Sequence, residues 1–315
     1  MNQPMNIPTI DISQLADDPE VIARIGDACA EWGFFQVVNH GIDTDQRRRF
    51  LQACQTFFHA PDNVKREVVR TADNPMGFFD EELTKNQQDW KQIFDYGADW
   101  RDPEANYHSR WPTAMPHFEA ILHAWFEACE DLSFRLISAM AQSLEVDPQT
   151  LLASFRPTHT SFARLNFYPL CSDPRDAADL ADSQRGHLGI HPHTDSGALT
   201  VLLQDDVAAL QVCRQGQWHT IVPAEDGLII NIGDMLQVWS NDRFVAPEHR
   251  VLASSQRERF SAPFFFNPAN NTDCLPLTGA APHYRAVNWG EFRQARAAGD
   301  YANIGEEIQI SQFKR

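Results

Sequence analysis

The sequence predicts a mainly β fold with some α: a jelly-roll or sandwich core with helices packed against it on the N-terminal side. Three observations predict it. Beyond Ser161 the apolar residues alternate with period two, in short runs separated by turn residues. Before that point lies one long stretch whose apolar residues recur every three or four positions. No repeat, low-complexity tract or Gly/Ser- or Pro-rich linker divides the 315 residues, so 1–315 reads as one domain. Within it we expect a mixed helical part over 1–155, the β core with the site over 156–275 and a helical segment over 276–315.

Along the chain, 7–12 reads as a strand, 18–31 as a helix, and Gly33-Phe-Phe-Gln-Val-Val38 as a buried strand ended by Asn39-His40-Gly41. A helix over 44–58 follows. Between Met115 and Leu144, Phe118, Leu122, Trp125, Cys129, Leu132, Leu136 and Met140 share one helical face, a brace to be packed on a sheet. Strands are then expected at 162–168, 188–194, 199–204, 210–213, 227–232, 236–240, 249–253 and 259–267, with a closing helix over 289–298.

With 43% hydrophobic residues the chain can bury a sizeable core without staples, and its six cysteines have neither zinc nor disulfide-framework spacing. A reducing, cytoplasmic setting fits best. No stretch approaches the ~18 apolar residues of a membrane span, and the first six residues lack the charged and apolar runs of a signal. The net charge of −17 argues against nucleic acid as partner, because phosphate binding draws on lysine and arginine. A small molecule remains the expected partner, and the oligomeric state stays open.

The chemistry-bearing residues begin with His193-Thr194-Asp195. Side chains at i and i+2 of a strand share a face, so His193 and Asp195 can reach one ion. Twelve histidines make such a pair weak evidence alone. His249, opening a later strand, supplies a third ligand if an antiparallel jelly roll returns it beside the first two. Two imidazoles and a carboxylate on one face of iron(II) leave positions for a chelating 2-oxo acid and for dioxygen. His191 competes with His193 because His191-Pro192-His193 has the same spacing. Ten residues past His249, Arg259-Phe260-Ser261 places a guanidinium and a hydroxyl on one face, suited to a buried carboxylate such as the far one of 2-oxoglutarate.

Over nearly its whole length the chain resembles the isopenicillin N synthase-like branch of the 2-oxoglutarate/iron(II) dioxygenases. The resemblance rests on 7–12, on Trp32-Gly-Phe-Phe-Gln-Val-Val-Asn-His-Gly-Ile42, on Arg164-Leu-Asn-Phe-Tyr-Pro169, on the run from His193 to Thr200, and on Asn231-Ile-Gly-Asp234 through His249-Arg-Val251 to Arg259-Phe-Ser261. It implies a double-stranded β-helix, Fe(II), 2-oxoglutarate and O2 as reactants, hydroxylation as the default outcome with desaturation or ring closure as variants, and contacts from Tyr168 and Asn166 to 2-oxoglutarate. Three departures stand out: Phe167 where tyrosine is common, Asp242 for a turn glycine, and Ala246-Pro247-Glu248 before the last histidine. None removes a ligand.

Two other readings compete: a same-fold iron oxidase that needs no 2-oxoglutarate, and a jelly-roll binding module without turnover. On the substrate side the resemblance points to 77–79 and 89–96, with Phe264–Phe266 as aromatic lining or core. Lys91 reads as a solvated lysine or as a partner for an anion. The acidic segment 172–187 reads as a lid or a surface insertion.

Overall fold

A computed structural model describes residues 7–16, 18–101, 107–175, 186–279, 281–301 and 308–315. Its helices are α1 (Pro19–Glu31), α2 (Thr44–Phe58), α3 (Asp62–Arg66), α4 (Phe118–Ser143), α5 (Pro148–Leu152), α6 (Asp234–Trp239) and α7 (Trp289–Tyr301). Local chemistry sets their ends. Asp18 accepts the backbone N–H of Glu20 at 2.8 Å while Pro19 takes the first turn of α1, where its missing N–H costs nothing. Gly33 follows the end of α1 at φ +63°, with Val245 O only 2.2 Å from where a Cβ would sit. Asp43 caps α2 through the amides of Asp45 and Gln46.

The strands are β1 (Thr9–Asp11), β2 (Phe34–Val38), β3 (Gly77–Phe79), β4 (Leu83–Thr84), β5 (Gln87–Gln88), β6 (Gln92–Gly97), β7 (Phe162–Tyr168), β8 (Leu188–His193), β9 (Leu199–Gln204), β10 (Leu210–Arg214), β11 (Gln217–Thr220), β12 (Leu228–Ile232), β13 (His249–Leu252) and β14 (Arg259–Phe266). One sheet runs β1-β2-β12-β9-β14-β7-β6-β3 and a smaller one β11-β10-β13-β8. The two face each other as the double-stranded β-helix that the sequence predicts.

Period-two alternation sorts the large sheet's side chains. Leu228, Ile230 and Ile232 of β12, Leu199, Val201 and Leu203 of β9, and Phe260, Ala262, Phe264 and Phe266 of β14 turn outward into a core shared with α1, α2 and α4, where Phe50 stacks on Trp125 at 4.5 Å. Each fully buried aromatic or aliphatic chain there contributes on the order of 1.5–3 kcal/mol. The intervening residues turn inward: Leu202, Ile229 and Tyr168 meet Leu210, Val212 and Val251 of the small sheet. Phe264 and Phe266 are therefore core, and only Phe265 lines the cavity between the sheets. Phe167 also points to the helices, stacked between Phe58 and Phe260, so the missing tyrosine leaves the interior unchanged.

At three points the structure goes beyond or against the expectations. Residues 236–240, read as a strand, are instead the end of α6 and its cap Ser240: Gln237 N–H bonds Gly233 O and Ser240 N–H bonds Leu236 O. A short run buried on every side carries no period, so length and flanking residues had to decide. Asn241 and Asp242 at φ +56° and +65° then turn the chain; Asp242 serves where glycine is usual because a short polar side chain tolerates this region. Second, 77–79 and 92–97 are strands that extend the large sheet, and 217–220 adds an edge to the small one. The mixed polar content of 92–97 and 217–220 hid the period, and 77–79 is too short to show one. Third, Lys91 is 6% exposed and paired with Asp89 at 3.1 Å, not solvated. Of the acidic segment 172–187, residues 176–185 lie outside the described residues. Among the described residues no helix is long and apolar enough to cross a membrane.

Candidate metal and co-substrate site

β8 and β13 are antiparallel neighbours, and their register sets His249 directly opposite His193, with ring centroids 4.3 Å apart. The next pair is Val251 with Ile190, so β13 advances two residues where β8 advances three. This bulge reverses the side-chain parity of β8. Ile190, His193, His249 and Val251 all line one cavity. His191 is instead held by Asp89, which accepts its backbone N–H at 3.0 Å and bonds its Nδ1 at 2.9 Å. Equal spacing thus gives unequal roles: His193 joins the cluster and His191 does not.

Asp195 lies past the end of β8 rather than on it, contrary to the i, i+2 strand argument. Its position comes from the large sheet. Thr200 of β9 and Asn231 of β12 are register partners, and both bond Asp195 Oδ2, at 2.5 and 2.7 Å. That leaves Oδ1 facing His193 Nε2 at 3.8 Å and His249 Nε2 at 3.6 Å. The loop is pinned further by α6, whose Asp234 and Met235 amides donate to Asp195 O and Gly197 O. Gly233 is required there, because a Cβ would stand 2.3 Å from Gly197 O.

The three ligand atoms lie within 4.8 Å of one another. His193 Nδ1 bonds His191 O at 2.8 Å and His249 Nδ1 bonds Pro247 O at 3.3 Å, which places the protons on Nδ1 and turns both Nε2 lone pairs inward. The proline of the unusual Ala246-Pro247-Glu248 run thus still offers the carbonyl that orients the ligand. Burial, with His249 close by, pushes His193 down to about 3, so its imidazole is neutral at physiological pH. Burial alone would raise Asp195, but the positive charge that the imidazoles carry when protonated and the bonds from Thr200 and Asn231 lower it. Two neutral nitrogens and one anionic oxygen suit a divalent transition metal.

The second half of the site sits in the same cavity of about 180 Å³. On β14 and β7 the register partners are Arg259 with Tyr168 and Ser261 with Asn166, all facing inward. Arg259 is 2% exposed, donates to Ser261 Oγ at 3.3 Å and Gln204 Oε1 at 2.8 Å, and lies 4.9 Å from the Tyr168 ring centre. Among the described residues no carboxylate lies within ion-pair distance of it. Arg259 Nε, Tyr168 Oη, Asn166 Oδ1 and Gln204 Nε2 are buried without partners. Buried polar groups of this kind call for a ligand, and a bidentate carboxylate fits the guanidinium.

Sequence reasoning missed Thr200, Asn231, Gln204, Asp89 and Arg296 as parts of the site. Asn231 carried a signal, a single amide in an otherwise apolar strand. Arg296 on α7 carried none. Its guanidinium donates to Thr194 O and Oγ1, each at 3.0 Å, to Ile308 O at 3.0 Å and to Asp234 Oδ2 at 3.2 Å, clasping the loop between His193 and Asp195. Arg296→Ala is expected to lower Co(II) affinity roughly tenfold to a hundredfold, the range for groups that orient ligands. Co(II) titration beside a melting curve checks it; unchanged affinity would mean that the loop holds its shape unaided.

A buried, open-faced 2-His-1-carboxylate centre inside a double-stranded β-helix defines a non-haem oxygenase-type fold and site. The comparisons then place the chain. Residues 159–268 match the model of the 2OG-Fe(II) oxygenase superfamily, and residues 7–117 that of the non-haem dioxygenase in morphine synthesis N-terminal region. Jasmonate-induced oxygenase 4 of Arabidopsis thaliana is 32% identical over 302 residues, covering 92% of this chain and 81% of the relative. Gibberellin 3-beta-dioxygenase 1 of Pisum sativum is 31% identical, over 92% and 76%. The crystal structure of JOX2 in complex with 2OG, Fe and JA superposes with a TM-score of 0.78 at 29% identity, over 92% and 84% of the two chains. The chain belongs to the 2OG-Fe(II) oxygenase superfamily and is an oxidoreductase that uses iron and 2-oxoglutarate.

Proposed function

We propose that His193, Asp195 and His249 hold the iron(II), that Arg259 and Ser261 with Tyr168 and Asn166 hold 2-oxoglutarate, and that the substrate is a small organic molecule bound at the side of the same cavity that β4 and the start of β7 line. The observation that carries this reading is Arg259: a buried guanidinium with no carboxylate in ion-pair distance among the described residues, opening into the cavity that the three metal-binding side chains share. JOX2 crystallised with JA, and a full-length Neurospora crassa protein crystallised with alpha-KG and thymine, support a small-molecule substrate.

Bound there, iron(II) would supply the redox chemistry that couples conversion of 2-oxoglutarate and dioxygen into succinate and carbon dioxide to oxidation of the substrate. The chain's own residues do the rest. Arg259 and Ser261 neutralise and orient the far carboxylate, Tyr168 Oη donates from the partner strand, and Gln204 fixes the guanidinium plane. Phe34, edge-on to His249 with ring centroids 5.3 Å apart, and Leu202 and Val251 keep water from the centre. Asn231 and Thr200 hold the carboxylate so that one oxygen alone faces the metal position.

Anaerobic addition of iron(II) and 2-oxoglutarate is expected to produce a weak visible charge-transfer band, since three protein ligands leave room for a chelating 2-oxo acid. Tight iron binding with no band on adding 2-oxoglutarate would instead favour an oxidase that does not chelate it.

A further inference from the structure

We propose that the substrate is uncharged, a neutral aromatic or alicyclic molecule rather than a carboxylate, phosphate or amine. This rests on the oxygenase reading above and deepens it. Apart from the metal-binding histidines, the charged side chains lining the cavity are Glu82, Lys91, Arg164, Asp195, Arg259 and Arg296. Three of the four cations are already matched within the protein. Lys91 Nζ meets Asp89 Oδ2 at 3.1 Å, and Arg296 meets Asp234 at 3.2 Å. Arg164 binds both oxygens of Asp95, at 2.7 and 2.8 Å, and Glu82 at 3.1 Å; Arg70 lies 3.3 and 3.4 Å from the same two acids, so among the described residues these two guanidiniums meet two carboxylates.

Among the described residues that line the cavity, two excess positive charges remain, Arg259 and the surplus of a divalent metal over Asp195. The two carboxylates of 2-oxoglutarate cancel both. A charged substrate would then be the one uncompensated charge in a buried site, and burial of an unpaired charge is costly. Phe162, Phe265, Leu83 and Pro263 offer an apolar wall, with Thr84 and Asn267 as neutral polar groups beside it.

The test uses the full chain loaded with Mn(II) and 2-oxoglutarate, and reads paramagnetic relaxation of the protons of three probes: benzamide, methyl benzoate and benzoate. The two neutral probes are expected to relax at least about tenfold faster than benzoate, the discrimination that an unpaired buried charge implies. Benzoate relaxing as fast as the neutral pair, or no enhancement of either neutral probe, would overturn the inference. Glu82→Gln, which leaves one guanidinium in excess, is expected to raise the benzoate response; a folded variant with no rise would also overturn it, and the wild-type comparison stands if that variant does not fold. The protons of 2-oxoglutarate are the internal reference. If they are not relaxed, the assignment of the metal and co-substrate site fails, independently of the substrate's charge.

Discussion

Replacing Asp195 with alanine is expected to abolish both metal binding and succinate formation. Its carboxylate is the one anion among the three ligands, and its Oδ1 is the atom that both imidazoles face. Without it the metal position keeps two neutral nitrogens, and Thr200 Oγ1 and Asn231 Nδ2 lose their buried acceptor. Groups that only orient ligands are worth ten- to a hundredfold in affinity, so loss of the ligand itself should exceed roughly a hundredfold. Co(II) titration and carbon dioxide release from labelled 2-oxoglutarate read the two effects. Near wild-type release from a folded Asp195→Ala protein would remove the carboxylate from the metal site and sink the assignment.

Arg259→Ala should have the next largest effect, confined to 2-oxoglutarate. Truncating one member of a buried, hydrogen-bonded charge pair costs about 2–5 kcal/mol, which is a rise of roughly thirtyfold to several thousandfold in the KM for 2-oxoglutarate at tenfold per 1.4 kcal/mol. Metal affinity should stay near wild type, because Arg259 touches none of the three ligands. Arg259→Lys should recover only part of the loss, since an ammonium keeps the charge without the planar fork. A KM that does not move in the alanine variant, or metal affinity that falls with it, would show that the arginine serves the fold and not the co-substrate.

How much of this was legible beforehand depends on the range of the interaction that decides each feature. The helices at 19–31, 44–58 and 118–143 and most core strands could be read because amphipathic period, caps and turn residues are local. The helix at 234–239 could not, because five of its six residues are buried and so short a run shows too little polar face to reveal a period. The clamp could be read because Arg259 and Ser261 are two residues apart on one strand. Lys91 was misjudged because its partner Asp89 lies two residues away in sequence, yet their burial depends on β8 packing over them.

The sequence by itself determined the residue types: two histidines and an aspartate for a metal, an arginine and a serine for a carboxylate, and a strand-rich frame to carry them. Tertiary structure alone decided which histidine serves, which oxygen of Asp195 faces inward, and that α7 reaches back to hold the ligand loop. The physical reason is register. A bulge of one residue inverts the faces of a strand, and whether it occurs depends on how β8 pairs with β13, residues more than fifty positions apart, and not on the composition of either strand.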